Sequence, residues 1–221
     1  MCALSNIVKH EDIKMNGKIS FSQRLRHGRT GKWLMGCVRL WLACCRLATA
    51  SDTPELSEYQ VKALYLYNFT KFIDWPSNNF TAADAPIVIG IMGEDPFGKT
   101  LDDLVKGEVV RGHPLVIKRL NPGEDWRGCH VLFISHFDKE QLSSLLQQIK
   151  GNPVLTVSDS SGFAEQGGII NFVIVQEKVT VEEKVIVQEK VKLEINPDAA
   201  TAVGLQISSK LLKLAQIVKS D

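Results

Sequence analysis

The chain has 221 residues, of which 44% are apolar and 23% charged. This composition suits one domain with a substantial core and excludes a disordered chain. Its net charge of +1 conceals an asymmetry: residues 1–50 carry nine Lys and Arg against Glu11 and Asp12, which leaves 17 basic and 23 acidic residues in 51–221. Nucleic-acid binders place a basic footprint on the folded part, so the acidic remainder argues against that class.

The first segment predicts export. Arg24, Arg26, Arg29 and Lys32 precede the apolar run 33–45, WLMGCVRLWLACC, and Ala48 to Ala50 read ATA before Ser51. A basic region, a short apolar region and an A-x-A site form a secretory signal. The expected division is therefore a leader over 1–50, with Met15 as an alternative start, and a domain over 51–221. A retained membrane anchor and a lipoprotein-like reading at Cys44 stay open. Four of the five cysteines lie in the leader. Cys129, just before HVLFIS, is expected to be buried as a small hydrophobe without an internal disulfide.

Residues 55–73 predict a helix with Val61, Tyr65, Phe69 and Phe72 on one side, stopped by Trp75-Pro76. Core packing accounts for most of its aromatics. Tyr65, Phe69, Phe72 and Trp75 are nevertheless a candidate partner surface, because aromatic residues are favoured at interfaces. Strands are expected at 86–93, 113–120, 130–135 and 152–159. Helices are expected after residue 95 and at 139–151, the latter with Leu142, Leu145, Leu146 and Ile149 facing a sheet. This alternation predicts an α/β layered, Rossmann-like sheet with flanking helices. Asn196-Pro197 offers an N-cap with proline at the first helical position. Val203, Ile207, Leu211, Leu214, Ala215 and Val218 then predict one long C-terminal amphipathic helix.

Between these elements the chain repeats itself. VIVQEKV begins at Val173 and again at Val185. Two twelve-residue copies are too few for a solenoid, and the pattern alternates as a strand does. Twelve is even, so one added unit preserves the inside–outside alternation. The reading is a local duplication in a β-hairpin.

Three stretches invite chemistry. GIMGEDPFG, 90–98, occupies the place of a dinucleotide loop but lacks G-x-G-x-x-G. SDSSGFAEQGGIINF, 158–172, is the densest polar loop, with Asp159, Ser161 and Glu165 as candidate ligand contacts. Gly167, Gly168 and Asn171 are expected to shape the following corner structurally. SDSSG does not fit the nucleophile elbow, and the histidines share no metal spacing. No catalytic residue, cofactor or metal is expected.

The blocks VKALYLYNFTKFIDWP, IVIGIMGEDPFG, GCHVLFIS, PVLTVSDSSGFAEQGGIINFV and VKLEINPDAATAVGLQISSKLLKLA resemble, in order and spacing, the YfiR family of periplasmic regulators over about residues 58–217. The resemblance implies a non-enzymatic α/β protein of the periplasm that binds and represses an inner-membrane diguanylate cyclase. It would thereby control cyclic-di-GMP signalling and biofilm, and it would form a homodimer. Some members carry paired redox cysteines, for which Cys129 has no exported partner here. The family pattern passes once from GGIINFV to KLEIN, whereas this chain passes through the repeated unit. Two other readings stay open: a periplasmic small-molecule binding module using the 158–168 loop, and a hydrolase.

Overall fold

A computed structural model of the chain describes residues 56–181 and 184–220. The chain divides into Met1–Asp52 and Thr53–Asp221, and the second unit holds all of the described residues. Helix α1 (Glu58–Phe72) opens with a capping box: Ser57 accepts from the Gln60 N–H, and the Gln60 side chain accepts from the Ser57 N–H. These reciprocal bonds satisfy two donors that the helix start leaves unpaired. Strand β1 (Ile73–Asp74) then leads to Trp75-Pro76.

The main sheet contains β2 (Ile87–Met92), β3 (Val109–Val110), β4 (His113–Leu120), β5 (Val131–Ile134), β6 (Leu155–Ser158), β7 (Ile170–Val181), β8 (Lys184–Ile195) and β10 (Ala215–Ile217), in the order β10-β8-β7-β6-β5-β2-β4-β3. The five strands β4-β2-β5-β6-β7 are mutually parallel. Counted in chain order they run 2-1-3-4-5, the flavodoxin-like variant of the doubly wound arrangement. Helix α2 (Lys99–Val105), followed by β3, connects β2 to β4, and α3 (Lys139–Ile149) joins β5 to β6.

Strand alternation explains how one sheet feeds two cores. Ile89, Ile91, Val131, Phe133, Val157 and Phe172 pack with α1 and α2 through Ala63, Leu66, Phe69 and Leu101. Met92, Leu132 and Ile134 pack instead with Leu142, Leu145 and Ile149 of α3, beside Trp126 and Cys129. Gly90 faces the second of these cores, where a Cβ would lie 2.7 Å from Cys129 Sγ and 2.9 Å from Leu132 Cδ1. The mixed sheet with flanking helices is the expected fold class.

The long C-terminal helix is not formed. The segment divides into α4 (Pro197–Ala202), β9 (Gln206–Ile207), α5 (Ser209–Leu212) and β10. The Asn196 cap holds as expected, its side chain accepting from the Ala199 N–H. Gly204 then takes φ +78 and ends the helix, a conformation that L side chains avoid. Beyond it the sheets compete for the backbone. Ile207 pairs with Ile73, Ala215–Ile217 pair with Leu193–Ile195, and the Val218 N–H donates to Ile195 O. Apolar spacing of three and four was present, but ladder pairing and burial of Leu205, Leu211 and Val218 decided the outcome.

Strands β7 and β8 form one long antiparallel hairpin, paired from Ile170↔Ile195 to Val181↔Lys184. The two copies of VIVQEKV lie against each other in it: Ile174 faces Val191, Gln176 faces Glu189 and Glu177 faces Gln188. Strand β6 pairs with β7 only as far as Asn171, and β10 pairs with β8 only from Leu193. Among the described residues, the rest of the hairpin is therefore a two-stranded ribbon beyond the sheet.

Candidate functional site

Lys62 is the largest fully buried side chain with a charge, only 1% exposed. It sits on the second turn of α1, four residues after Glu58, with which it forms an ion pair. Its Nζ donates to Asp159 Oδ2 at 2.7 Å, just past the end of β6. The same ammonium lies 4.6 Å from the Tyr59 ring centroid, a favourable cation–π distance. A buried ammonium needs this much pairing, because an unpaired one would be costly. Burial pulls the Lys62 pKa down, but hydrogen bonds to Asp159 and Glu58, with their charges, hold it above the ordinary lysine value. Tyr59 is also raised, first by burial and then by the charge of Asp159.

Glu58, Lys62 and Asp159 border a cavity of about 370 Å³, lined also by Ser161, Gly162, Glu165, Asn171, Phe172, Val173, Ile174 and Glu194. Asn171 is buried at the start of β7, and its Nδ2 donates to Glu194 Oε2 on β8 at 3.1 Å. Its Oδ1 is buried without a hydrogen-bond partner. Ser161 and Glu165 are exposed on the loop above. Two glycines set the loop's return to the sheet. Gly167 has φ +99, and a Cβ on Gly168 would enter the Phe163 ring at 2.2 Å.

The fold thus gathers Asp159, Ser161, Glu165 and Asn171 into one cavity wall. Sequence reasoning missed Glu58, Lys62, Tyr59, Phe172 and Glu194. Glu58 and Lys62 have the spacing of an ordinary i,i+4 surface pair, and nothing local announces that Lys62 is buried beside Asp159, 97 residues away. The aromatic candidates lie elsewhere. Phe69 is fully buried and stacks near Tyr65 and Phe172 at 6.1 and 6.0 Å, so it belongs to the core and not to a surface. Tyr65, Phe72 and Trp75 are half-buried, and Trp75 Nε1 donates to His130 O. Cys129 is buried on the opposite face of the sheet, where burial raises its thiol pKa.

The crevice at the switch point between β2 and β5 offers no relay. Ser135 Oγ lies 2.7 Å from His136 Nδ1, and Glu94 approaches that same nitrogen at 3.7 Å. A proton relay needs the two partners on different ring nitrogens. The start of α2, where a phosphate would sit in a nucleotide-binding loop, is occupied by the protein's own Asp95. Its Oδ1 accepts from the Phe97 and Gly98 N–H groups, and its Oδ2 from Arg119. Burial works to raise the Asp95 carboxyl, yet these bonds and the Arg119 charge hold it below its ordinary value. Ser158 is no free nucleophile, since its hydroxyl donates to Ile134 O at 2.8 Å.

Fold and cavity together describe an α/β domain organised around a buried ion pair. The chain belongs to the YfiR/HmsC-like family, whose model matches residues 59–182 and 185–216. The two matched segments divide at the ribbon, between the repeated units. No curated protein matches the chain. Members of the family are regulators that act on a partner signalling protein, and the family points to the periplasm.

Proposed function

We propose that this protein is a periplasmic regulator that binds and represses an inner-membrane diguanylate cyclase through the cyclase's periplasmic region, and so controls cyclic-di-GMP signalling and biofilm formation. The family match over most of the described chain is the observation that carries this reading. In it, the leader 1–50 is removed on export and residues 51–221 act as a homodimer without catalysis. Binding shifts the cyclase toward its inactive state, to the extent that the regulator prefers that state.

The partner surface falls on the outer side of α1 and the adjoining ribbon. Leu56, Leu64, Ile174 and Val187 are exposed apolar residues there, and an open groove between the two elements is lined by Leu56, Val61, Ile174, Val187 and Val191. The half-buried Tyr65 and Phe72 contribute only their outer edges.

Affinity capture from solubilised native membranes tests this. Wild-type protein should bring down a diguanylate cyclase identified by mass spectrometry. Leu64→Glu and Val187→Glu, both at exposed sites and so compatible with folding, should lose it. A cyclase absent from every wild-type capture under gentle crosslinking would sink the repressor reading.

A further inference from the structure

We infer that residues 77–86, which hold Phe80 between two histidines at the N-terminal ends of β4 and β5, form an acid-released strap: a proton on His130 frees the segment while the sheet beside it holds. The segment has one turn of 3-10 helix, Ser77–Asn79, before β2 begins. Its Phe80 ring lies 4.1 Å from the His113 ring and 4.7 Å from the His130 ring, nearly parallel to both. Asn79 Nδ2 donates to Pro153 O, and His113 Nδ1 donates to Ala85 O. No residue of 77–86 is fully buried. An open cavity of about 550 Å³ separates part of it from the end of α1, lined by Thr70, Trp75, Phe80, Ile87 and His113 among others. Segments with so little burial open before the core does.

His130 supplies the trigger through its hydrogen bonds. It is buried, and the Val88 N–H donates to its Nδ1 at 3.2 Å. Nδ1 therefore carries the lone pair and Nε2 the hydrogen, and Nε2 has no partner. An added proton can enter only at Nδ1, where it meets the Val88 N–H. The charged ring then has two donors without acceptors, a state that is costly when buried. Nothing packed on the ring offers a counter-charge. Val88 of β2, Trp75 at its edge and Phe80 on its face are neutral, the adjoining Cys129 thiol is raised by burial, and His113 adds only positive charge. The pull of an imidazolium on the Phe80 ring is weaker than the cost of burying an unpaired charge. The His130 backbone cannot yield, because its N–H donates to Val88 O and its carbonyl accepts from Leu155 N–H and Trp75 Nε1. The strap can, and its departure gives the ring to water. His113 is not the trigger, since its bond to Ala85 O survives in either protonation state.

Any effect of release on a partner, through Trp75, rests on the function proposed above, whereas the release itself does not. The test is hydrogen exchange of the exported chain followed by mass spectrometry, corrected for intrinsic rates. With His130 at about 4 in the closed form and 6.5 when released, opening should grow about tenfold per pH unit as pH falls through that window. Protection of 77–88, which includes the Val88 N–H, should fall accordingly, and that of Val131–Ile134 should not. His130→Phe should abolish the pH dependence, and His113→Gln should retain it. Should His130→Phe fail to fold, nuclear magnetic resonance of the wild type decides: the His130 ring proton and the Phe80 ring signals should titrate together. Protection of 77–88 that ignores pH, the same acid loss in a folded His130→Phe, equal loss across Val131–Ile134, or a Phe80 signal that does not follow His130 would overturn the proposal. Acid release in a protein that captures no cyclase would uphold the strap while defeating the regulator reading.

Discussion

Lys62 shows how a single residue's neighbours determine what its replacement does. Removing its partners strands a buried charge, whereas removing the lysine leaves carboxylates that still reach water. Glu58→Gln with Asp159→Asn should therefore cost about 3–5 kcal/mol, read as a lower urea midpoint. Adding Lys62→Met to that pair should recover most of the loss, because an apolar side chain of similar length suits the site. No recovery would mean that the lysine is needed for packing in its own right. Gly168→Ala should cost about 1–3 kcal/mol through overpacking against Phe163, measured the same way.

His130 gives a pH prediction. Its Nδ1 accepts from the Val88 N–H at 3.2 Å, its Nε2 has no partner, and Phe80 is stacked between it and His113. Burial, reinforced by the His113 charge, lowers its pKa from 6.5 to about 4. The unfolded state therefore takes up a proton at higher pH than the fold does. The associated stability is fully present above pH 6.5 and declines as pH falls through that window to about 4, by roughly 3 kcal/mol. His130→Phe should flatten the dependence of the denaturation midpoint between these pH values. An unchanged slope would show that another group titrates.

At the scale of elements, the ribbon is the chain's most distinctive feature. Deleting residues 173–184 leaves Asn171↔Glu194 and Phe172↔Leu193 able to pair as they do now, with a hairpin six residues shorter on each strand, about 20 Å less reach. That variant should fold, with a melting temperature within a few degrees of wild type by circular dichroism, because the removed residues lie beyond the sheet. A collapse in stability would show that the ribbon is part of the core. Glu177 is held to a pKa of about 2 by hydrogen bonds to Lys190 and Lys192 and by their charges. Its contribution to the ribbon is present above the ordinary carboxylate range and is lost as pH falls toward 2. The C-terminal segment behaves in the converse way. Its apolar spacing satisfied a helix, but β1 and β8 offered backbone partners that a single sequence does not display.

At the scale of the whole molecule, the proposed function requires a processed chain at the membrane. Intact mass and N-terminal sequencing of the exported protein should place its first residue at Ser51, and an unprocessed N terminus would replace the soluble regulator with an anchored one. Local periodicity, caps and turn residues were enough to read the strand–helix alternation, the Asn196 cap and the hairpin, because each is written within a few consecutive residues. The same loop residues, Asp159, Ser161 and Glu165, were legible as a polar cluster. Only the tertiary structure decided that Lys62 is buried beside them, that Phe69 packs inside, and that the last segment breaks into two short helices and two strands. These outcomes depend on partners far away in the chain, and burial and long-range pairing outweigh local preference wherever they compete.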